Sequence, residues 1–290
     1  MIVITTPTGR IGRQVLDQVL DGGEAVRVIA REPSRLAPQV LSRVEVVRGS
    51  HNDPGVVAEA FAGADSVFWL MPPNPRADSV EDYLMDFART ACEAIADVRR
   101  VVAVSTLGRG IAKNAGLISM TLEMDELIES TGVGYRALCP PGFMENTLNQ
   151  VEPIRSQGVF FGIASGERAM PFCATRDIAG VAAGLLLDTS WSGQEDVPIR
   201  GPEDLSHDDM ARTMSEVLGR PVRYQQVDAD AYKATLVGNG ITGAWAQSLV
   251  DMFVEVDQGL YTAEPRTPES TSPTSFRQWC EEVLKPAVLA

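Results

Sequence analysis

The sequence predicts an α/β fold, a doubly wound parallel sheet followed by a smaller, mostly helical C-terminal lobe. Three observations predict it. Short apolar, β-branched runs recur at residues 2–4, 25–30, 44–48, 66–70, 101–105 and 135–139, each the length of a strand buried on both faces. Helix-length segments at 11–20, 54–61, 79–96 and 119–130 separate them, which gives the strand, helix, strand rhythm of a parallel sheet. A glycine-bearing turn joins the first strand to the first helix, where an open α/β sheet places its ligand.

That turn reads Thr5-Thr6-Pro7-Thr8-Gly9-Arg10-Ile11-Gly12. Backbone N–H groups at a helix N-terminus bind phosphate, and glycines let backbone and phosphate approach. Gly9 and Gly12 supply those approaches, Thr6 stands where a dinucleotide fingerprint usually has its first glycine, and Pro7 removes one donor. Thr6, Thr8, Gly9, Arg10, Ile11 and Gly12 are therefore cofactor-binding candidates in a Rossmann-type domain. Cofactor choice rests on the end of the second strand, Val28-Ile29-Ala30-Arg31-Glu32-Pro33-Ser34-Arg35. An acidic side chain there would hold the ribose of NAD(H), whereas a guanidinium pairs with a 2′-phosphate. Arg31, with Arg10 and Arg35 as helpers, favours NADP(H) over NAD(H).

Composition narrows the remaining classes. The 290 residues carry 25 Lys and Arg against 39 Asp and Glu, a net charge of -14 that disfavours nucleic acid and anionic membranes as partners. Four scattered cysteines and two histidines, without metal-ligand spacing, predict no metal site and reduced thiols. No apolar run has transmembrane length and no secretory leader is visible, so a cytoplasmic protein is expected.

The second half lacks the βαβ rhythm. Residues 177–187, 208–218 and 243–257 read as helices and 222–227 as a strand. Ser206 caps the helix that Gly219 ends, with Pro221 just beyond. A polar stretch at 262–274 reads as a surface loop before a last helix at 275–284. The strand-like Val197-Pro198-Ile199 suggests that residues 174–203 return to the Rossmann sheet. The expected division is thus 1–150, with 174–203, as the NAD(P)-binding domain, and 151–173 with 204–290 as the smaller lobe.

These residues carry a resemblance. The chain is similar to the NmrA-like family of atypical short-chain dehydrogenase/reductases in its N-terminal loop, in Phe68-Trp69-Leu70-Met71-Pro72-Pro73, in Val104-Ser105-Thr106 and in Cys139-Pro140-Pro141-Gly142-Phe143-Met144-Glu145-Asn146. Arg176-Asp177-Ile178-Ala179, Gly201-Pro202-Glu203-Asp204-Leu205-Ser206 and Leu218-Gly219-Arg220-Pro221-Val222 extend it nearly end to end, with Cys139 in place of the usual arginine. The resemblance implies that Met71, Pro72, Ser105, Pro141 and Phe143 meet the cofactor. It places Met71, Thr106, Phe143 and Met144 along the substrate pocket, and Ser105 as the catalytic hydroxyl.

Ordinary short-chain reductases use a Tyr-x-x-x-Lys pair to protonate the new alkoxide. The matching positions here are Leu117 and Thr121, which disfavours simple ketoreduction. The leading expectation is an NADP(H)-dependent oxidoreductase that transfers hydride to a conjugated small molecule such as a quinone or enone. A non-catalytic NADP(H)-binding sensor with a protein partner is the alternative, and a non-redox cyclase or isomerase the second. A homodimer is compatible with all three.

Overall fold

The structure, a computed structural model, describes residues 1–290 apart from the side chain of Asp97. The first half alternates as β1 (Ile2–Ile4), α1 (Arg10–Asp21), β2 (Val26–Ala30), the one-turn α2 (Pro38–Leu41), β3 (Val44–Arg48), α3 (Pro54–Phe61), β4 (Ser66–Trp69), α4 (Val80–Ala94), β5 (Arg100–Val104), α5 (Leu117–Glu129) and β6 (Gly134–Cys139). Then come β7 (Gly142–Phe143), α6 (Val151–Gln157), β8 (Val159–Gly162), β9 (Met170–Cys173), α7 (Thr175–Leu187), β10 (Gln194–Pro198) and β11 (Asp204–Leu205). The chain ends with α8 (His207–Leu218), β12 (Arg223–Gln226), α9 (Ala229–Gly238), α10 (Gly243–Asp257), α11 (Phe276–Trp279) and α12 (Lys285–Leu289), the last two joined by a π-helical turn at Cys280–Leu284.

Seven parallel strands form the main sheet in the order β10-β6-β5-β4-β1-β2-β3. The chain therefore reverses direction across the sheet between β1 and β4, and a crevice opens beyond their carboxyl ends. Strands buried on both faces explain the near-continuous apolar runs: Val3, Ile4, Val28, Val67, Phe68 and Val102 are fully covered. Side chains of alternating positions serve two cores. One face receives α3, α4 and α5 through Phe61, Phe87, Ala91, Leu122 and Ile128; the other receives α1 and α7.

Helix α1 turns a single stripe, Ile11, Val15, Leu16 and Val19, onto the sheet and α7, whose Ala179, Ala182 and Ala183 permit close approach. Removing most of one such side chain, as in Leu16→Ala, would cost about 2–5 kcal/mol. Asp53 accepts from the N–H groups of Gly55 and Val56 and Ser79 from Asp82, and, as expected, Ser206 caps α8, forming a reciprocal box with Asp209, and Gly219 ends that helix in a left-handed conformation. Gly116, with φ 54°, brings the start of α5 against α10, where a Cβ would stand 2.0 Å from the Ser248 carbonyl oxygen.

Residues 142–290 also contain short strands that periodicity did not indicate, β7, β8, β9 and β11, beside the expected strand at 222–227, which is β12. β7, β9 and β11 make a three-stranded sheet, and β12 pairs with β8 in parallel. The stretch 262–274, expected as a surface loop, is partly interior: Ser270, Ser272 and Thr274 are buried. Arg200 causes this, because its N–H donates to Ser270 O, its C=O accepts from Ser272 and its guanidinium donates to Pro265 O at 2.8 Å. Asp177 completes the anchor by accepting from the Thr274 N–H and hydroxyl. No described helix is long and apolar enough to cross a membrane.

Candidate active site

The glycine-bearing turn lies at the reversal point of the sheet. Thr5 pins it there: its hydroxyl donates to Phe68 O at 3.1 Å and accepts from the Leu70 N–H at 3.2 Å, which ties the end of β1 to the end of β4. Gly9 N–H donates back to Thr6 O at 3.1 Å, closing the turn. Gly12 packs directly under it, and a Cβ at that position would stand 1.9 Å from Thr6 O. Among the described residues no side chain caps α1, so its first-turn N–H groups face the crevice without a capping partner. Thr6 Oγ1 is buried and likewise finds no partner.

A cavity of about 230 Å³ opens in front of this turn, walled by Thr5 to Gly9, by the end of β2 with Arg31, Glu32 and Arg35, by Gly49 to His51 and by Pro72. Arg10, Arg31 and Arg35 are exposed, and none of the three enters an ion pair with a described residue. Uncompensated arginines in a chain of net charge -14 favour an anionic occupant.

His51 was not singled out in the sequence, yet it forms part of the floor. It is buried, stands edge-on to Trp69 and Phe87, and places Nε2 3.1 Å from Leu70 O. Burial lowers its pKa to about 4, against the raising effect of that carbonyl and with a smaller lowering from Arg31, so the ring is neutral at physiological pH and donates from Nε2. Its position three residues past β3, beside the strand that Arg31 follows, was the available signal.

A largely buried polar cluster begins at the carboxyl end of β5. Ser105 is the first residue past the strand, and its hydroxyl donates to Asp125 Oδ2 on α5 rather than standing free. Tyr135 OH donates to Asp125 Oδ1 at 2.5 Å. Arg109 Nη2 lies 3.5 Å from Asp125 Oδ2, grips Glu129 with both terminal nitrogens at 3.1 Å and donates from Nε to Asp196 at 2.9 Å. Burial pushes the wholly enclosed Asp125 carboxyl up to about 7, although the hydrogen bonds from Ser105 and Tyr135 and the charge of Arg109 pull it down.

The other expected pocket residues divide. Met71 and Pro72 follow β4 and are half-buried; Tyr83 OH donates to Pro72 O at 2.9 Å and its ring meets Trp245 of α10, which covers this edge. Thr106 is buried and donates to Leu107 O, Pro141 is buried, and Phe143 is half-buried against the α1/α7 core. Met144, expected along the pocket, is 1% exposed and packs with Ile154, Leu205 and Trp279 in the C-terminal core. Its neighbour Glu145 has a bracing role: it accepts from the Thr175 N–H and hydroxyl and from Trp279 Nε1, and so fixes the start of α7. Among the described residues no group of three His, Cys, Asp or Glu is placed to hold a metal.

Comparison with known proteins agrees with this architecture. The chain is 31% identical over 240 residues to (4-alkanoyl-5-oxo-2,5-dihydrofuran-3-yl)methyl phosphate reductase of Streptomyces griseus subsp. griseus, covering 82% of this chain and 80% of that one. It is 25% identical over 253 residues to the NAD(P)H azoreductase of Xenophilus azovorans, covering 87% and 86%. Among solved structures, the NADPH-dependent quinone oxidoreductase of Escherichia coli in complex with NADPH superposes with a TM-score of 0.80 at 20% identity, covering 96% of this chain and 98% of that one. Residues 1–273 match the NmrA-like family, and the chain belongs to that family.

Proposed function

We propose that this protein is an NADP(H)-dependent reductase that delivers hydride to a conjugated small molecule, of the quinone or enone class. The observation that carries the reading is the phosphate cradle: an uncapped α1 N-terminus, a buried Thr6 hydroxyl without a partner, and Arg31 and Arg35 unpaired at the end of β2. A dinucleotide 2′-phosphate and pyrophosphate supply the missing partners. In this reading Thr6, Thr8, Gly9, Arg10, Ile11 and Gly12 hold the pyrophosphate and Arg31 with Arg35 the 2′-phosphate. Met71, Pro72, Ser105, Pro141 and Phe143 lie toward the nicotinamide, and Met71, Thr106 and Phe143 toward the substrate.

When bound, the reduced nicotinamide supplies hydride. The protein orients the acceptor and excludes water, with residues 151–173 and 204–290 forming the substrate-side lobe. A conjugated acceptor suits a site whose α5 opens with Leu117 and carries Thr121 instead of a tyrosine and lysine, because the anion left after hydride addition is delocalised and needs only weak acid assistance. Relatives are named as a dihydrofuranone phosphate reductase, an NAD(P)H azoreductase and a quinone oxidoreductase, which supports a reductase reading. We place the protein in the cytoplasm.

Titration with NADPH, followed by a screen of quinones and enones for loss of reduced-nicotinamide absorbance, tests it. Saturable NADPH binding with acceptor-dependent oxidation is the expected result. Binding with no turnover would favour a sensor, and failure to bind any nicotinamide would favour a non-redox enzyme.

A further inference from the structure

The residues at the positions of the missing Tyr and Lys leave the site without an evident acid. Leu117 packs beside Val80, Leu84 and Trp245, and Thr121 spends its hydroxyl on Leu117 O at 2.8 Å. One helical turn beyond Thr121, on the same face of α5, stands Asp125. It is completely buried and is joined to the end of β5 by the Ser105 hydroxyl. Resting on the reductase reading above, we propose that Asp125 is the proton reserve of this site and that Ser105 passes its proton to the reduced substrate.

Counting hydrogens leads there. A serine hydroxyl has one proton to donate, and an ionised carboxylate can only accept. With Asp125 ionised, the Ser105 proton is committed to Oδ2 and only oxygen lone pairs remain for a ligand. With Asp125 protonated at Oδ2 the bond reverses: the acid donates to Ser105 Oγ, and the serine O–H is released for a ligand, with Cys139 Sγ the other group in its reach. Tyr135 continues to donate to Oδ1 in both forms, since burial and the neighbouring carboxylate raise its pKa well above the ordinary value. Ser105 can therefore act as an oxyanion donor only when Asp125 carries a proton.

The step balances. A conjugated carbonyl accepts hydride from the reduced nicotinamide at its acceptor carbon, and the π electrons move to oxygen. That oxygen takes the Ser105 proton as a new O–H bond forms, and Ser105 takes the Asp125 proton in turn. The carboxylate that remains is held by Tyr135 and by Arg109, and a proton from solvent restores the acid. Arg109, one quarter exposed, forms the solvent side of the cluster.

The titratable and charged groups around Asp125 are Arg109 from the β5–α5 loop, Glu129 on α5, Tyr135 and Cys139 on β6, and Asp196 on β10. Burial outweighs the lowering by Arg109 and by the two hydroxyl donors and leaves the carboxyl at about 7, so acid and carboxylate coexist near neutrality. That is where a donor serves turnover best.

The test compares wild type with Asp125→Asn, whose amide reproduces a protonated carboxyl's hydrogen bonds but releases no proton. Infrared difference spectra of the protein alone, recorded across pH 5 to 9, should show a carboxylic acid band that disappears with a midpoint near 7 and is missing in the variant. Turnover of an enone with NADPH should fall in wild type as pH rises through about 7. In Asp125→Asn it should be about 100-fold lower at pH 6, the low end of general-acid contributions, and flat with pH. Ser105→Ala should show the same flat profile, and NADPH affinity should be unchanged in Asp125→Asn. A variant that retains the wild-type pH profile and rate, or a protein without the titrating band, overturns the relay while leaving the reductase reading intact. Tight NADPH binding with no turnover of any acceptor overturns the reductase reading, and the relay with it.

Discussion

Gly12→Ala probes the phosphate cradle at its tightest point. An alanine Cβ would stand 1.9 Å from the Thr6 carbonyl oxygen, 2.7 Å from its carbon and 2.8 Å from Oγ1. Non-bonded heavy atoms rest about 3.5 Å apart, so the turn has to shift by more than about 1 Å. Overpacking of this kind costs about 1–3 kcal/mol, which in a chain of this size lowers Tm by about 2–10 °C. The larger effect falls on the cofactor, because the displaced backbone is the wall that phosphate must meet. Loss of two charge-assisted hydrogen bonds at about 1.5–3 kcal/mol each weakens NADPH by about 100- to 10,000-fold. Calorimetric titration with NADPH and thermal unfolding of the free protein separate the two effects. Gly184→Ala is the control: Gly184 lies exposed in α7 with nothing within 4 Å of a Cβ, so it should gain up to about 1 kcal/mol of helix stability and bind NADPH normally. A folded Gly12→Ala protein that binds NADPH as wild type does would refute this account of the loop.

Two further outcomes follow from the same geometry. Arg31→Asp replaces an unpaired guanidinium at the cavity wall with a like charge to the 2′-phosphate, and should weaken NADPH by at least about 10- to 100-fold while NADH binding changes little; equal losses for both cofactors would remove Arg31 from that role. Asp125 is held well above its usual range, so its contribution to stability is complete below about pH 4 and is lost as pH rises through about 7. Asp125→Asn should therefore gain on wild type between pH 5 and 8, by about 2–4 kcal/mol, in urea unfolding; parallel stability curves for the two proteins would show that the carboxyl does not titrate in that window.

Much of the first half was legible because strands buried on both faces leave continuous apolar runs and their helices carry visible caps. Asp53 and Ser79 cap α3 and α4 there, and in the second half Ser206 caps α8 as expected. The short strands at Val159–Gly162 and Met170–Cys173 left no such trace, since four residues on a small, half-covered sheet show no period. The loop ending at Thr274 looked like surface because serine and threonine are usually exposed; its interior position depends on Arg200 and Asp177, far away in sequence. The placement of Gly9 and Arg31 at the cavity beyond β1 and β2 could be read from their spacing. Asp125 could not, because on α5 it stands among Glu123, Glu126 and Glu129 and looks like one more acid on a solvated helix face. Only the packing of α5 against Ser105 and Tyr135 distinguishes it.

The most direct measurement follows the hydride itself. NADPH carrying deuterium at the transferred C4 position is incubated with the protein and an enone, and the product is examined by NMR and mass spectrometry. The account predicts one NADPH consumed per enone reduced, with deuterium at the product β-carbon and a solvent-derived proton at the α-carbon. NADPH that binds but stays unoxidised, or a product without the label, would contradict it.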